Sequence, residues 1–388
     1  MNTGRTLSFI ETAPIRERCG RSAHAMTAEL RGRTLSRKLF TVGPVNVEPE
    51  VLQAMTRPMI THRSKEYKEL HGSIEEKFKK LLDTDMDILM VGGSASVFLE
   101  GAVRNGVNDN VLGITNGSFG DRWIEISKLN GKNVKEVRVP WGKAIRPEAI
   151  EGHIDDTTEA VHFVSNESST GVLSPLGDMI SAIREKNDPL IFVDAVTSAF
   201  GSDLQLRKND VDALVFGTQK ALALPPGMAM MAVSDKLMKK AKEVKNRGFY
   251  TDLIKLKKNN DENYALTTPP VSLMYALDFQ LERMMKEGMR SRYQRHKEMA
   301  DTVRKWSSKL YGMFPEEGYM SNTIGVLNRG DLDFGRFHAA LKEKGYEISG
   351  GYGEVKEKTF RIGHMGDLTP KRVSELLEVM DETLEEFK

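Results

Sequence analysis

Cysteine is all but missing. Cys19 is the one thiol in 388 residues, which excludes an intramolecular disulfide or a paired-cysteine metal site and fits a reducing compartment such as the cytoplasm. Net charge is missing as well: 56 basic and 55 acidic side chains leave +1, so no overall field draws the chain to nucleic acid or to an anionic membrane. No apolar run approaches the roughly 18 residues of a membrane-crossing helix, and no Gly-x-Gly-x-x-Gly marks a dinucleotide site. Nothing suggests a metal centre, and His364 reads as a lone structural histidine. With 39% hydrophobic and 29% charged residues, the chain has the balance of a large soluble enzyme and length for two domains.

Two short apolar runs, Leu190 to Val193 and Ala213 to Phe216, read as buried parallel strands. The first ends on Asp194 and the second on Gly217-Thr218-Gln219-Lys220. A carboxylate and an amine therefore meet at the sheet edge where open α/β sheets bind ligands. A lysine so placed can hold an aldehyde cofactor as a Schiff base, while an aspartate keeps a pyridine nitrogen protonated.

Other strand ends carry chemistry too. Met86 to Val91 runs into Gly92-Gly93-Ser94-Ala95-Ser96 and a helix from Val97 to Val103; small residues at a helix start expose N–H groups and make a phosphate cradle. Val111 to Thr115 leads to a loop in which glycines flank Phe119 and leave its ring free to lie on a planar ligand. His162 to Ser165 leads to Asn166-Glu-Ser-Ser-Thr-Gly171, whose hydroxyls could tune a bound ring or cap a turn. A helix near Gly177 to Arg184 continues the βα alternation, which predicts a mostly parallel sheet.

At the front, Gly43-Pro44 and Pro49 predict a turn-rich segment before a helix opening near Glu48. Thr61-His62-Arg63 is cationic and precedes an amphipathic helix towards Leu82. Met228 to Val233 reads as a strand, and Tyr275 to Trp306 as one long helix into a smaller unit. From Tyr319 the text turns α+β, with a helix around Phe334 to Lys344. Arg361, on a glycine-bounded strand, can offer a planar fork to a carboxylate.

Asp194-Ala-Val-Thr-Ser-Ala-Phe-Gly201, then Gly217-Thr-Gln-Lys220-Ala-Leu, then Pro225-Pro226-Gly227, in that order, resemble the class V aminotransferases of fold type I. Phe360-Arg361-Ile362-Gly363-His364-Met365-Gly366 resembles their alanine or serine–glyoxylate (serine–pyruvate) branch. Val42-Gly43-Pro44 departs from the usual Pro-Gly-Pro. The resemblance implies an α/β fold: a large domain with a mostly parallel seven-stranded sheet flanked by helices, over 39–283, and a smaller C-terminal α+β domain over 284–388. It implies pyridoxal phosphate on Lys220, with Asp194 at the ring nitrogen. Ser94, Ala95 and Ser96 would hold the phosphate, Phe119 would cover the ring, Ser168 would bond the cofactor or its ring oxygen, and Val196 and Gln219 would also bind the cofactor. Tyr264 and Thr267 would reach the cofactor phosphate of a second copy, so a homodimer with a shared site is expected. Arg361, Gly43, Asn46 and Arg63 would bind substrate. The implied reaction is a ping-pong transfer from alanine or serine to glyoxylate or pyruvate.

His62-Arg63 also resembles the pair that phosphoserine aminotransferases offer to a substrate phosphate, which keeps that activity as an alternative. A lyase on the same fold is a further one, although a desulfurase needs a reactive cysteine and Cys19 is remote from every motif. Residues 1–38 are rich in Arg, Ser, Thr and Gly and read as an arm or disordered tail. A targeting peptide is opposed by Glu11, Glu17 and Glu29, and Met26 is a second candidate start.

Overall fold

A computed structural model describes residues 37–387; Cys19, Met26 and nearly all of the expected arm lie outside them. In chain order the strands are β1 (Lys38–Phe40), β2 (Asp87–Gly92), β3 (Asn110–Thr115), β4 (Asn133–Arg138), β5 (Ala160–Val164), β6 (Asn166–Glu167), β7 (Val172–Leu173), β8 (Leu190–Asp194), β9 (Ala213–Gly217), β10 (Met228–Val233), β11 (Ile324–Asn328), β12 (Tyr346–Gly350) and β13 (Thr359–Gly363). The helices are α1 (Pro49–Ala54), α2 (Lys65–Leu82), α3 (Ser96–Gly106), α4 (Ser118–Leu129), α5 (Leu176–Asn187), α6 (Asp235–Glu243), α7 (Leu253–Asn260), α8 (Val271–Glu287), α9 (Met289–Ser307), α10 (Phe334–Glu343) and α11 (Pro370–Glu385).

Seven strands form the large sheet in the order β2-β10-β9-β8-β5-β3-β4. From β9 to β4 every pairing is parallel, whereas β10 runs against both β9 and β2. The exception follows from the connection. Residues 218–227 alone separate β9 from β10, too few for the helical crossover that a parallel pair needs. Two reversals cancel, so β2 points the same way as β9 and its carboxyl end joins theirs.

β8 and β9 are buried at every position, which is why they read as unbroken apolar runs rather than alternating ones. Their residues feed two cores in turn. Ile191, Val193, Leu214 and Phe216 pack with Ile74 and Phe78 of α2, Met179 and Ile183 of α5, and Leu277 of α8. Phe192, Ala213 and Val215 pack on the other face with Phe98 of α3, Trp123 of α4 and Leu237 of α6. Truncating Phe192 or Phe216 to alanine would cost about 3–5 kcal/mol, and the sheet edge is fixed to that extent.

The second sheet has the order β1-β12-β13-β11 and carries a separate core that joins Phe40, Phe337, Phe360 and Leu377. β1 pairs in parallel with β12, so the segment just before Gly43-Pro44 belongs to the C-terminal sheet. Two expectations change. Gly288, at φ +79, divides the single helix expected over Tyr275 to Trp306 into α8 and α9. Phe119 lies in the first turn of α4 rather than in a loop. No helix among the described residues is long and apolar enough to cross a membrane.

Candidate active site

The carboxyl ends of β2, β3, β5, β8 and β9 open onto one cavity of about 350 Å³. Ser94, Ala95, Ser96, Phe119, Ser168, Asp194, Val196, Gln219, Lys220 and Gly43 all line it. So do Leu99, Arg122, Val164, Asn166, Thr197, Pro44 and Pro226, none of which the motifs had singled out for the site.

Lys220 follows β9 and is buried. Burial pushes its amine down to about 8, the Arg361 cation adds to that, and Asp194 and Glu167 pull the other way. Its Nζ donates to the Val42 carbonyl. The 42–44 turn lies so close that a Cβ on Gly43 would fall 2.8 Å from Lys220 Cδ, and Gly43 holds φ at +110; both facts demand glycine. Asp194, which ends β8, is pushed up to about 6 by burial. It accepts from the Val196 N–H at 2.9 Å.

Ser94, Ala95 and Ser96 lead into α3 with no side-chain cap. Among the described residues their amides donate to no carbonyl, so the helix start is open to an anion. Across the cavity, Phe119 is fixed by a carboxylate. Glu167 Oε2 accepts from the N–H groups of Phe119 and Gly120, each at 3.0 Å. Its Oε1 accepts from Ser169 N–H at 3.0 Å and Ser169 Oγ at 2.7 Å. Burial pushes the Glu167 carboxyl up, and these four donors oppose the shift. An anion at the first turn of α4 satisfies amides that a helix leaves unpaired.

Asn166 is 2% exposed, yet among the described residues neither its Oδ1 nor its Nδ2 has a partner. An amide left with neither bond costs about 1–3 kcal/mol per group; a bound molecule with both an acceptor and a donor would meet the demand. The Glu167 carboxylate and the Asn166 amide were both missed as site groups. The signal was within reach, since an acid and an amide precede the small polar run at a strand end.

Arg361, on β13, stands just behind the cavity wall. Its Nε donates to the Gly350 carbonyl at 2.8 Å and a terminal nitrogen to the Ser168 carbonyl at 3.3 Å. Burial pushes it down to about 10. Among the described residues no carboxylate pairs with it. Asn46, Arg63, Tyr264 and Thr267 do not line the cavity. Arg63 lies instead with its guanidinium 5.9 Å from the Tyr264 ring centroid, beside Lys68 at 4.3 Å.

A buried amine, a buried acid at the same edge, an open helix start, a ring wall and an unpaired amide together fit a planar phosphorylated aldehyde. The comparisons agree with that chemistry. The Aminotransferase class-V family model matches residues 48–328. An uncharacterized aminotransferase of Methanocaldococcus jannaschii is 34% identical over 358 residues, covering 90% of this chain and 93% of that one. The serine–glyoxylate aminotransferase of Methylorubrum extorquens is 31% identical over 350 residues, with 85% and 86% covered. Among solved structures, an alanine–glyoxylate aminotransferase from Nostoc sp. aligns at TM-score 0.84 and 28% identity, covering 90% of this chain and 95% of that one.

Proposed function

This chain belongs to the aminotransferase class-V family, whose cofactor is pyridoxal phosphate, and on that premise we propose that it moves an amino group from alanine or serine to glyoxylate or pyruvate through one site. The observation that carries the reading is Lys220: a buried amine held near 8, with no carboxylate bonded to it among the described residues, at the edge that also presents Asp194.

Pyridoxal phosphate, when bound, supplies a carbonyl that exchanges with amino groups and a ring that draws electrons from the substrate Cα. Lys220 would hold the cofactor through that carbonyl, because burial favours the neutral nucleophilic amine. With its amine free, Lys220 would be the base that takes the proton from the substrate Cα and the acid that returns it. Asp194 would sit at the ring nitrogen and keep it protonated. The open amides of Ser94, Ala95 and Ser96 take the phosphate. Phe119 and Val196 confine the ring, Gln219 and Ser168 meet its edge, and the Asn166 amide faces the same space. Arg361 would orient the substrate carboxylate with the N–H groups its two carbonyl partners leave free, Gly43 lines the cavity on the substrate side, and Asn46, outside that lining, would meet substrate beyond it. Arg63, Tyr264 and Thr267 complete the site of a second copy of the chain.

The test is a half-reaction screen. Cofactor-loaded protein is mixed in turn with alanine, serine, aspartate, glutamate and phosphoserine, and conversion to the aminated cofactor is followed by absorbance. Alanine or serine is expected to convert it fastest; conversion by phosphoserine alone would replace this reading with phosphoserine transamination.

A further inference from the structure

Arg361 is a buried guanidinium that bonds two backbone carbonyls and also faces a ring. Its Cζ lies 5.3 Å from the Tyr352 centroid. The same ring stacks on Phe119, with centroids 5.7 Å apart and planes 13° from parallel. Arg122 closes the group, with its Cζ 4.8 Å from the Phe119 centroid and a bond from its terminal nitrogen to the Tyr352 hydroxyl at 3.3 Å. Tyr352 does not line the cavity itself.

The chain is shaped to hold Tyr352 there. Gly353 next to it takes φ +59, and a Cβ on it would fall 2.2 Å from Ser118 Oγ and 2.5 Å from the Trp141 ring. Only glycine lets this loop press on the turn of α4 that carries Phe119. The small sheet's carboxylate fork and the large sheet's ring wall therefore meet on one aromatic side chain.

We propose that Tyr352 is a positioning residue for transamination, holding Arg361 and Phe119 as one unit before substrate arrives. The reason a ring suits this place lies in geometry. A π face attracts a guanidinium through its plane, whereas a carboxylate bonds along its edge. Tyr352 thus steadies the cation without occupying the N–H groups that substrate needs, which an acidic neighbour would take. The inference rests on the reading of Arg361 as the carboxylate site.

The experiment uses cofactor-loaded protein carrying Tyr352→Leu, Tyr352→Phe or Arg361→Ala, with KM for both substrates, kcat and the visible circular dichroism of the cofactor as readouts. Tyr352 is 38% exposed, so leucine should fold; Tyr352→Met serves if it does not. Tyr352→Leu is expected to raise KM for amino acid and oxo acid about tenfold, the loss of one partly buried cation–π contact. It should alter kcat far less and weaken the cofactor's dichroism as Phe119 loosens. Tyr352→Phe, which keeps the face, should restore both. Unchanged KM and dichroism in Tyr352→Leu while Arg361→Ala raises KM would overturn this inference alone, as would a Phe variant as impaired as the Leu one. Unchanged KM in Arg361→Ala would overturn the carboxylate reading beneath it.

Discussion

Replacing Lys220 with methionine should make the cofactor-free protein more stable at pH 7, and the gain should vanish in alkali. The amine sits at about 8 against an ordinary 10.5, so burial penalises its charged form. For a folded-state pKa set low in this way, the folded protein binds fewer protons between pH 8 and 10.5. The penalty is therefore full below pH 8 and gone above 10.5. At about 1.36 kcal/mol per pH unit it amounts to about 3 kcal/mol at neutrality. Methionine fills nearly the same channel, but the Val42 carbonyl loses its donor, at about 1 kcal/mol. Asp194 loses an attracting cation, a loss its own protonation limits. The net expectation is a variant more stable by about 2 kcal/mol at pH 7, with the order reversing near pH 10. Denaturant unfolding of both stripped proteins at pH 7, 9 and 10.5 measures the difference and cancels every other titrating group. A variant less stable at pH 7, or a difference that does not change with pH, would refute the claim that this amine is held against its hydration.

Borohydride treatment of protein loaded with pyridoxal phosphate is expected to fix the cofactor on Lys220, located by peptide mapping; a tag on another lysine would sink the assignment. Asn166→Ala, which removes an amide with no internal partner, should weaken cofactor binding about tenfold by absorbance titration without lowering the melting temperature of the stripped protein. Equal affinity would return Asn166 to a purely structural role. Glu167→Gln sets an amide nitrogen against N–H donors, so a stability loss of about 1–3 kcal/mol is expected, and wild-type stability would show that the carboxylate is not needed ionised. Lys220→Ala and Tyr264→Phe proteins, each impaired alone, should recover activity when refolded together; no recovery would argue that Tyr264 serves no second copy.

Most of the sheet was legible because its strands are buried on both faces, and a strand buried on both faces writes itself as an unbroken apolar run. β8, β9 and β10 are of that kind. β4, at the sheet's edge, buries Val137 alone and leaves its other residues exposed or half-buried, so it left no such trace, and β1 is three residues long and depends on β12 for its existence. In the site, the residues found in advance lie within a few positions of a strand end, where order along the chain and place in space coincide. Arg122 was missed as a site residue because it reaches the cavity from a helix, and Tyr352 because it touches Phe119 across 233 positions of chain. Contacts of that separation are decided by how two sheets meet.

Two buried arginines show where sequence reading stops and geometry begins. Arg292 sits in the charge-laced text of α9 and looks like a surface residue, yet it is 1% exposed. It pairs with Glu287 at 2.7 Å and with Asp367 at 3.3 Å, and it donates to the carbonyl of Ala221, next to Lys220, at 2.6 Å. Removing one partner from such a cluster typically costs 3–5 kcal/mol, so Arg292 fastens the lysine's loop to the C-terminal part of the chain and has little left to offer a ligand. Arg361 has the opposite inventory: two carbonyls, a ring face, and no carboxylate among the described residues. A desolvated cation left in that state is costly unless something anionic visits it. The missing partner, more than the arginine itself, is what sets Arg361, the proposed carboxylate site, apart from an arginine that holds the fold.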